Sequence, residues 1–124
     1  MNILVLAGGL SPERDVSLSS GSKIASALIE RGHRVAMVDV YMDLGELPRF
    51  SDEPIPPFSA AETEPDLDAL RAERIALRGG EEGSGELIGR GVVDACRAAD
   101  VVFLALHGGM GENGQLQALL DCYG

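Results

Sequence analysis

Three short apolar runs constrain this chain more than any other feature: NILVLA from Asn2, RVAMVDV from Arg34 and VVFLAL from Val101. None shows the strict polar–apolar alternation of a strand with one wet face. Continuous runs of this length, bounded by glycines and polar loops, suit central strands of a parallel sheet covered on both faces. Between the first two runs, SKIASALIERG places Ile24, Ala25, Leu28 and Ile29 on one helical stripe, with Gly32 as its C-terminal stop. Residues 2–40 therefore read as strand, helix, strand: a βαβ unit whose crossover should be right-handed. VVDACRAAD reads as a short helix, VVFLAL as a third buried strand, and GQLQALLDCYG as a last helix with Leu116, Leu119 and Leu120 on one face. The expected fold class is α/β, a three-layer, Rossmann-like parallel sheet.

The stretch from Tyr41 to Gly91 has a different texture. Five of the six prolines lie between Pro48 and Pro65, and EPIPPF has the look of extended chain. Pro65 suits the first turn of a helix through DLDALRAERIAL, and RGGEEGSGELIGRG is a glycine-rich acidic loop. We read residues 41–91 as an irregular acidic insertion in a simpler α/β core, with no internal repeat. A length of 124 residues suits one domain. Three strands are few for a complete doubly wound sheet, so the chain reads as the first domain of something larger.

The net charge of −10 argues against a nucleic-acid or anionic-membrane partner. Most of the acids lie between Tyr41 and Arg90, and a solvated acidic face accounts for them. No apolar run approaches the roughly 18–20 residues that span a bilayer. The start, MNILVLAGG, lacks the basic n-region of a signal peptide, so a cytoplasmic location is expected. Cys96 and Cys122 form no C-x-x-C pair and read as buried free thiols.

Two loops carry the candidate chemistry. Gly109, Gly111 and Gly114 make a G-x-G-x-x-G pattern after the third run, but a dinucleotide fingerprint belongs to the first strand-to-helix turn, with an acid about 20 residues on. Here the first turn reads GGLSPER. Asp39, which ends the second run, therefore reads as a strand-end or capping residue rather than a ribose ligand. That first loop puts Glu13, Arg14 and Asp15 at the carboxyl end of a central strand, the edge at which open α/β sheets bind ligands. His107 ends another strand on the same edge, followed by three glycines within four residues, which does not suit a core histidine. A carboxylate, an imidazole and helix N-termini in one crevice would suit a zwitterion: the carboxylate for an ammonium, the helix N–H groups for an anion.

GGLSPERDVSLSSG and LALHGGMGENGQLQALL together resemble the two N-terminal signatures of D-alanine–D-alanine ligases, in the expected order and at the expected strand ends. The resemblance covers both ends of the chain and leaves the acidic middle aside. Asn113 and Ala118 stand where Asp and Gly are usual, and D-alanine–D-lactate and D-alanine–D-serine ligases share the signatures, so the second substrate stays open. The resemblance implies an ATP-grasp enzyme in three parts. ATP phosphorylates the carboxylate of one D-alanine, and the amine of a second attacks the acyl phosphate to give the dipeptide for peptidoglycan. It implies that Glu13 holds the first substrate's ammonium, that Val16 packs near its methyl group, and that His107 sits beside the carboxylate that becomes phosphorylated. Ser17 is expected to cap the helix. ATP and Mg²⁺ would be held by ATP-grasp central and C-terminal domains beyond residue 124, so this pre-ATP-grasp domain would bind neither and be inactive alone. An unpaired sheet edge and the leucines of the last helix lead us to expect a homodimer, tighter as salt screens the charge. The alternative reading is a stand-alone α/β module binding a small zwitterion or nucleotide.

Overall fold

A computed structural model of the chain describes residues 1–10, 12–55, 66–77 and 88–105. The elements run β1 (Asn2–Ala7), α1 (Arg14–Glu30), β2 (Arg34–Asp39), α2 (Leu67–Leu77), α3 (Val92–Ala98) and β3 (Val101–Leu104). The sheet order is β2-β1-β3 with both pairings parallel, so β1 is the central strand. Register sets Ala7 beside Asp39 and Leu6 beside Leu104.

The alternation of side chains along β1 builds two cores from one apolar run. Leu4 and Leu6, with Ala36 and Val38 of β2, pack against Val92 and Ala95 of α3. Ile3, Val5, Ala7 and Val35 pack on the opposite face with Ala25 of α1. Leu4, Val5 and Leu6 are fully buried, and each contributes about 1.5–3 kcal/mol of transfer free energy. A parallel sheet with helices on both faces is the expected three-layer α/β arrangement. Gly21 lets α1 approach β1: a Cβ there would stand 2.9 Å from the Ala7 Cβ, inside contact distance.

α1 stops where Gly32 was expected to stop it. Gly32 has a φ of 91°, and the bonds His33 N–H to Leu28 O (3.2 Å) and Gly32 N–H to Ile29 O (2.9 Å) close a left-handed C-terminal cap. β2 begins two residues later.

The third strand differs from its expectation. Val101 and Phe103 are 43% and 42% exposed, so β3 is not buried on both faces. The reason is its place at the margin of the described sheet. α1 packs over β1 and β2, and leaves the β3 side chains on that face uncovered. Val102 and Leu104, on the other face, do join the core beside α3. Composition alone cannot separate a central strand from a marginal one.

In the middle stretch, residues 40–44 and 88–91 run side by side: Gly89 N–H bonds Val40 O at 2.8 Å and Leu44 N–H bonds Arg90 O at 2.7 Å. Ser51 forms an antiparallel bridge with Val35 on the outer side of β2. The helix expected in DLDALRAERIAL is α2, and its acids Asp66, Asp68 and Glu73 are exposed. Arg74 is not part of that wet face. It is 4% exposed, donates to Tyr41 O at 3.0 Å and lies 3.8 Å from the centroid of the Tyr41 ring. Cys96 is a free thiol, half-buried rather than buried, and desolvation pushes its pKa up. The rest of EPIPPF, Pro65, the glycine-rich acidic loop up to residue 87, Cys122 and the expected last helix lie outside the described residues. Among the described residues no helix is long and apolar enough to cross a membrane.

Candidate functional site

Parallel pairing sends the carboxyl ends of β1, β2 and β3 to one edge of the sheet. The N-terminus of α1 opens at that edge, directly after the loop that leaves β1. The N–H groups of its first turn and its dipole favour an anion there. Asp15 lies in the first turn, where a carboxylate is stabilised by the same field.

Two polar ties hold this edge together. In the first, the Asp39 carboxylate joins three groups. Its Oδ1 accepts the Gly9 N–H (3.1 Å) and the Tyr41 N–H (3.0 Å), and its Oδ2 accepts from the Arg14 guanidinium (2.5 Å). Arg14 donates at the same time to Gly9 O, at 2.9 Å. Both side chains are largely shielded, 14% and 17% exposed, so this ion pair is not a solvated surface contact. Gly8 makes room for it: with a φ of 75°, it would place any Cβ 2.8 Å from Asp39 Oδ1. In the second tie, the Ser17 hydroxyl accepts the Gly8 N–H (2.9 Å) and donates to Ala105 O (2.5 Å). Ser17 is fully buried, and it fastens α1 to the ends of both β1 and β3.

Ser17 is therefore not a helix cap. α1 starts at Arg14, its N-cap residue is Glu13, and the Glu13 side chain makes no cap bond. A serine four positions into a helix has its hydroxyl free to turn toward the sheet. Asp39 is a strand-end residue, as the sequence suggested. Its carboxylate is engaged by three protein donors, which leaves it structural rather than a ribose ligand.

Of the expected site residues, the structure brings Glu13 and Val16 together in the turn that opens α1, both exposed at the carboxyl edge. Glu13 O accepts the Ser17 N–H at 3.0 Å, the first bond of the helix. His107 lies outside the described residues; the chain is followed to Ala105, whose N–H bonds Leu6 O at 2.9 Å. Sequence reasoning missed the Arg14–Asp39 pair and the Ser17 tie. The available signal was two groups of opposite charge placed at adjacent strand ends by the βαβ reading. Among the described residues no three of His, Cys, Asp and Glu gather as a metal site requires.

An open parallel sheet with an exposed carboxylate and a helix N-terminus at its carboxyl edge defines a class: an α/β domain built to face a small ligand with its strand-end loops. Comparison with known proteins narrows that class. The family model described as the D-ala D-ala ligase N-terminus matches residues 2–124, and the chain belongs to that family. The match runs through the acidic middle as well as the two motif-bearing ends, to which the sequence reading had confined it. The chain is 42% identical over 127 residues to a D-alanine–D-alanine ligase of Lacticaseibacillus casei (strain BL23), covering 100% of this chain and 35% of the relative. It is 44% identical over 126 residues to that of Pediococcus pentosaceus, covering 98% of this chain and 35% of the relative. It is 35% identical over 124 residues to that of Gloeobacter violaceus, covering 100% and 26%. The chain thus spans about a third or less of the length of these relatives.

Proposed function

We propose that this chain is the N-terminal, pre-ATP-grasp part of a cytoplasmic D-alanine–D-alanine ligase and contributes to the site of the first D-alanine. The observation that carries the proposal is the end-to-end match to the ligase N-terminal family. Glu13 at the opening turn of α1, on the ligand-facing edge, supports it. In this reading the Glu13 carboxylate holds the ammonium of the first D-alanine through a charge-assisted bond. Val16, 51% exposed beside it, lies against the methyl group. His107 donates to the carboxylate and steadies the charge that develops there. ATP, with Mg²⁺, would be held by central and C-terminal ATP-grasp domains, and ATP would supply the phosphoryl group that activates that carboxylate. The steps assigned to this chain concern the amino acid alone: binding it, orienting it and stabilising its charge. Half a crevice cannot align two substrates with ATP, so the chain by itself is inactive.

We further propose that the protein is a homodimer. Val101 and Phe103, apolar and uncovered on the β3 margin, support this reading.

The test is a coupled assay on the ligase that carries this chain as its N-terminal part. D-alanine-dependent release of phosphate from ATP, with D-alanyl-D-alanine as product, is the expected result. Parallel runs with D-lactate and D-serine read the second substrate. Binding of D-alanine without any ATP turnover would favour the stand-alone module instead.

A further inference from the structure

Resting on the proposed role of Glu13, we infer that Asp39, acting through Arg14, is a positioning residue for the first amino-acid site. Glu13 is the N-cap residue of α1. Its neighbour ties the start of the helix to the sheet. Arg14 reaches back across the loop to Gly9 O and across to β2 at Asp39. Asp39 in turn grips Gly9 N–H, so both polar backbone groups of Gly9 are bound within one cluster. Its remaining bond, from Tyr41 N–H, ties the cluster to the chain leaving β2. The loop between Gly9 and Arg14 is thereby closed at both ends on one carboxylate.

The chemistry of the clamp favours a carboxylate and a guanidinium. Only a planar fork can serve Gly9 O and Asp39 Oδ2 together. Asparagine at 39 could keep the bonds from Gly9 and Tyr41 through its oxygen, but its amide NH₂ would then face the Arg14 donor, so the link to α1 is the one that fails. Glu13, adjacent to Arg14, then loses its fixed place relative to the sheet edge. An ångström-scale shift of a charged group costs a ligand contact heavily.

A double-mutant cycle in the full ligase tests this. Asp39→Asn should raise KM for the first D-alanine about tenfold or more, with kcat per folded enzyme within about twofold. On top of Glu13→Gln the same substitution should change KM by less than about twofold, because its effect passes through Glu13. Arg14→Lys, which keeps the charge but not the fork, should repeat the pattern at smaller size, and serves where the Asp39 variant does not fold. A merely structural role predicts a lower folded fraction with an unchanged KM, or equal effects in both backgrounds; either result overturns the clamp. Glu13→Gln with wild-type KM would instead remove the assignment of Glu13 and the clamp's purpose with it. An impaired Glu13→Gln beside unimpaired Asp39→Asn and Arg14→Lys overturns the clamp alone.

Discussion

Replacing Ser17 with alanine removes one oxygen and breaks two bonds at once. The hydroxyl accepts the Gly8 N–H and donates to Ala105 O at a fully buried position, so neither partner gains water when it leaves. A buried polar group left unpaired costs about 1–3 kcal/mol, and the two together come to roughly 2–5 kcal/mol. That is a large share of the approximately 5–15 kcal/mol that holds a domain together. Thermal unfolding should show a Tm lower by at least about 6 °C, and urea unfolding a lower midpoint with the slope unchanged. A comparison with glycine separates this tie from a cap. At an N-cap, glycine costs only a few tenths of a kcal/mol relative to serine. Here Ser17→Gly should be worse than Ser17→Ala, because it loses the same bonds and adds about 1 kcal/mol of helix-interior glycine. A loss below about 0.5 kcal/mol for alanine, or a milder effect for glycine, would refute the reasoning.

Gly21→Ala sets better helix propensity against a Cβ 2.9 Å from the Ala7 Cβ, a rigid neighbour; we expect overpacking to win by about 1 kcal/mol, and a stabilised variant in urea would show that α1 has room. In the ligase, Glu13→Gln should lower kcat/KM for D-alanine by about 10² with little change in Tm, and wild-type kinetics would defeat its assignment. His107→Ala should raise KM for the first D-alanine or slow activation of its carboxylate, whereas a lower Tm with intact kinetics would mark a core histidine. Sedimentation of the chain across a salt series should show dimer formation that tightens as the net charge of −10 is screened, and a monomer at every salt level and high concentration would count against it.

The α/β sheet was legible because run length and the absence of alternation are local properties. NILVLA and the Ile24–Ile29 stripe need no knowledge of the rest of the chain. Gly32 was legible for a similar reason, since a left-handed cap is written in one residue. The exposure of Val101 and Phe103 was not, because it depends on strand order and on which strands α1 covers. Ser17 misled for a specific reason. A serine near the start of an amphipathic run is as good a cap as it is a tie to the sheet, and only the true start of α1 at Arg14 decides between them. Arg74 was hidden in a polar helix because its partner, Tyr41, is 33 residues away. Glu13 was placed at the carboxyl edge by the order strand–loop–helix alone. The bonds that fix its neighbour, to Asp39 on the next strand and to Gly9 O across the loop, depend on three-dimensional geometry that the order of elements hints at but does not specify.

The bridge between Ser51 and Val35 has a consequence for how this sheet can grow. Val35 N–H and O face outward from β2, and both are taken by Ser51, at 2.8 and 3.1 Å. A newcomer strand seeking that flank finds its first rung occupied by the chain's own returning segment. Among the described residues the β2 flank is therefore closed at its start by the chain's own backbone, and the segment after β2 acts as a stopper against strand addition on that side.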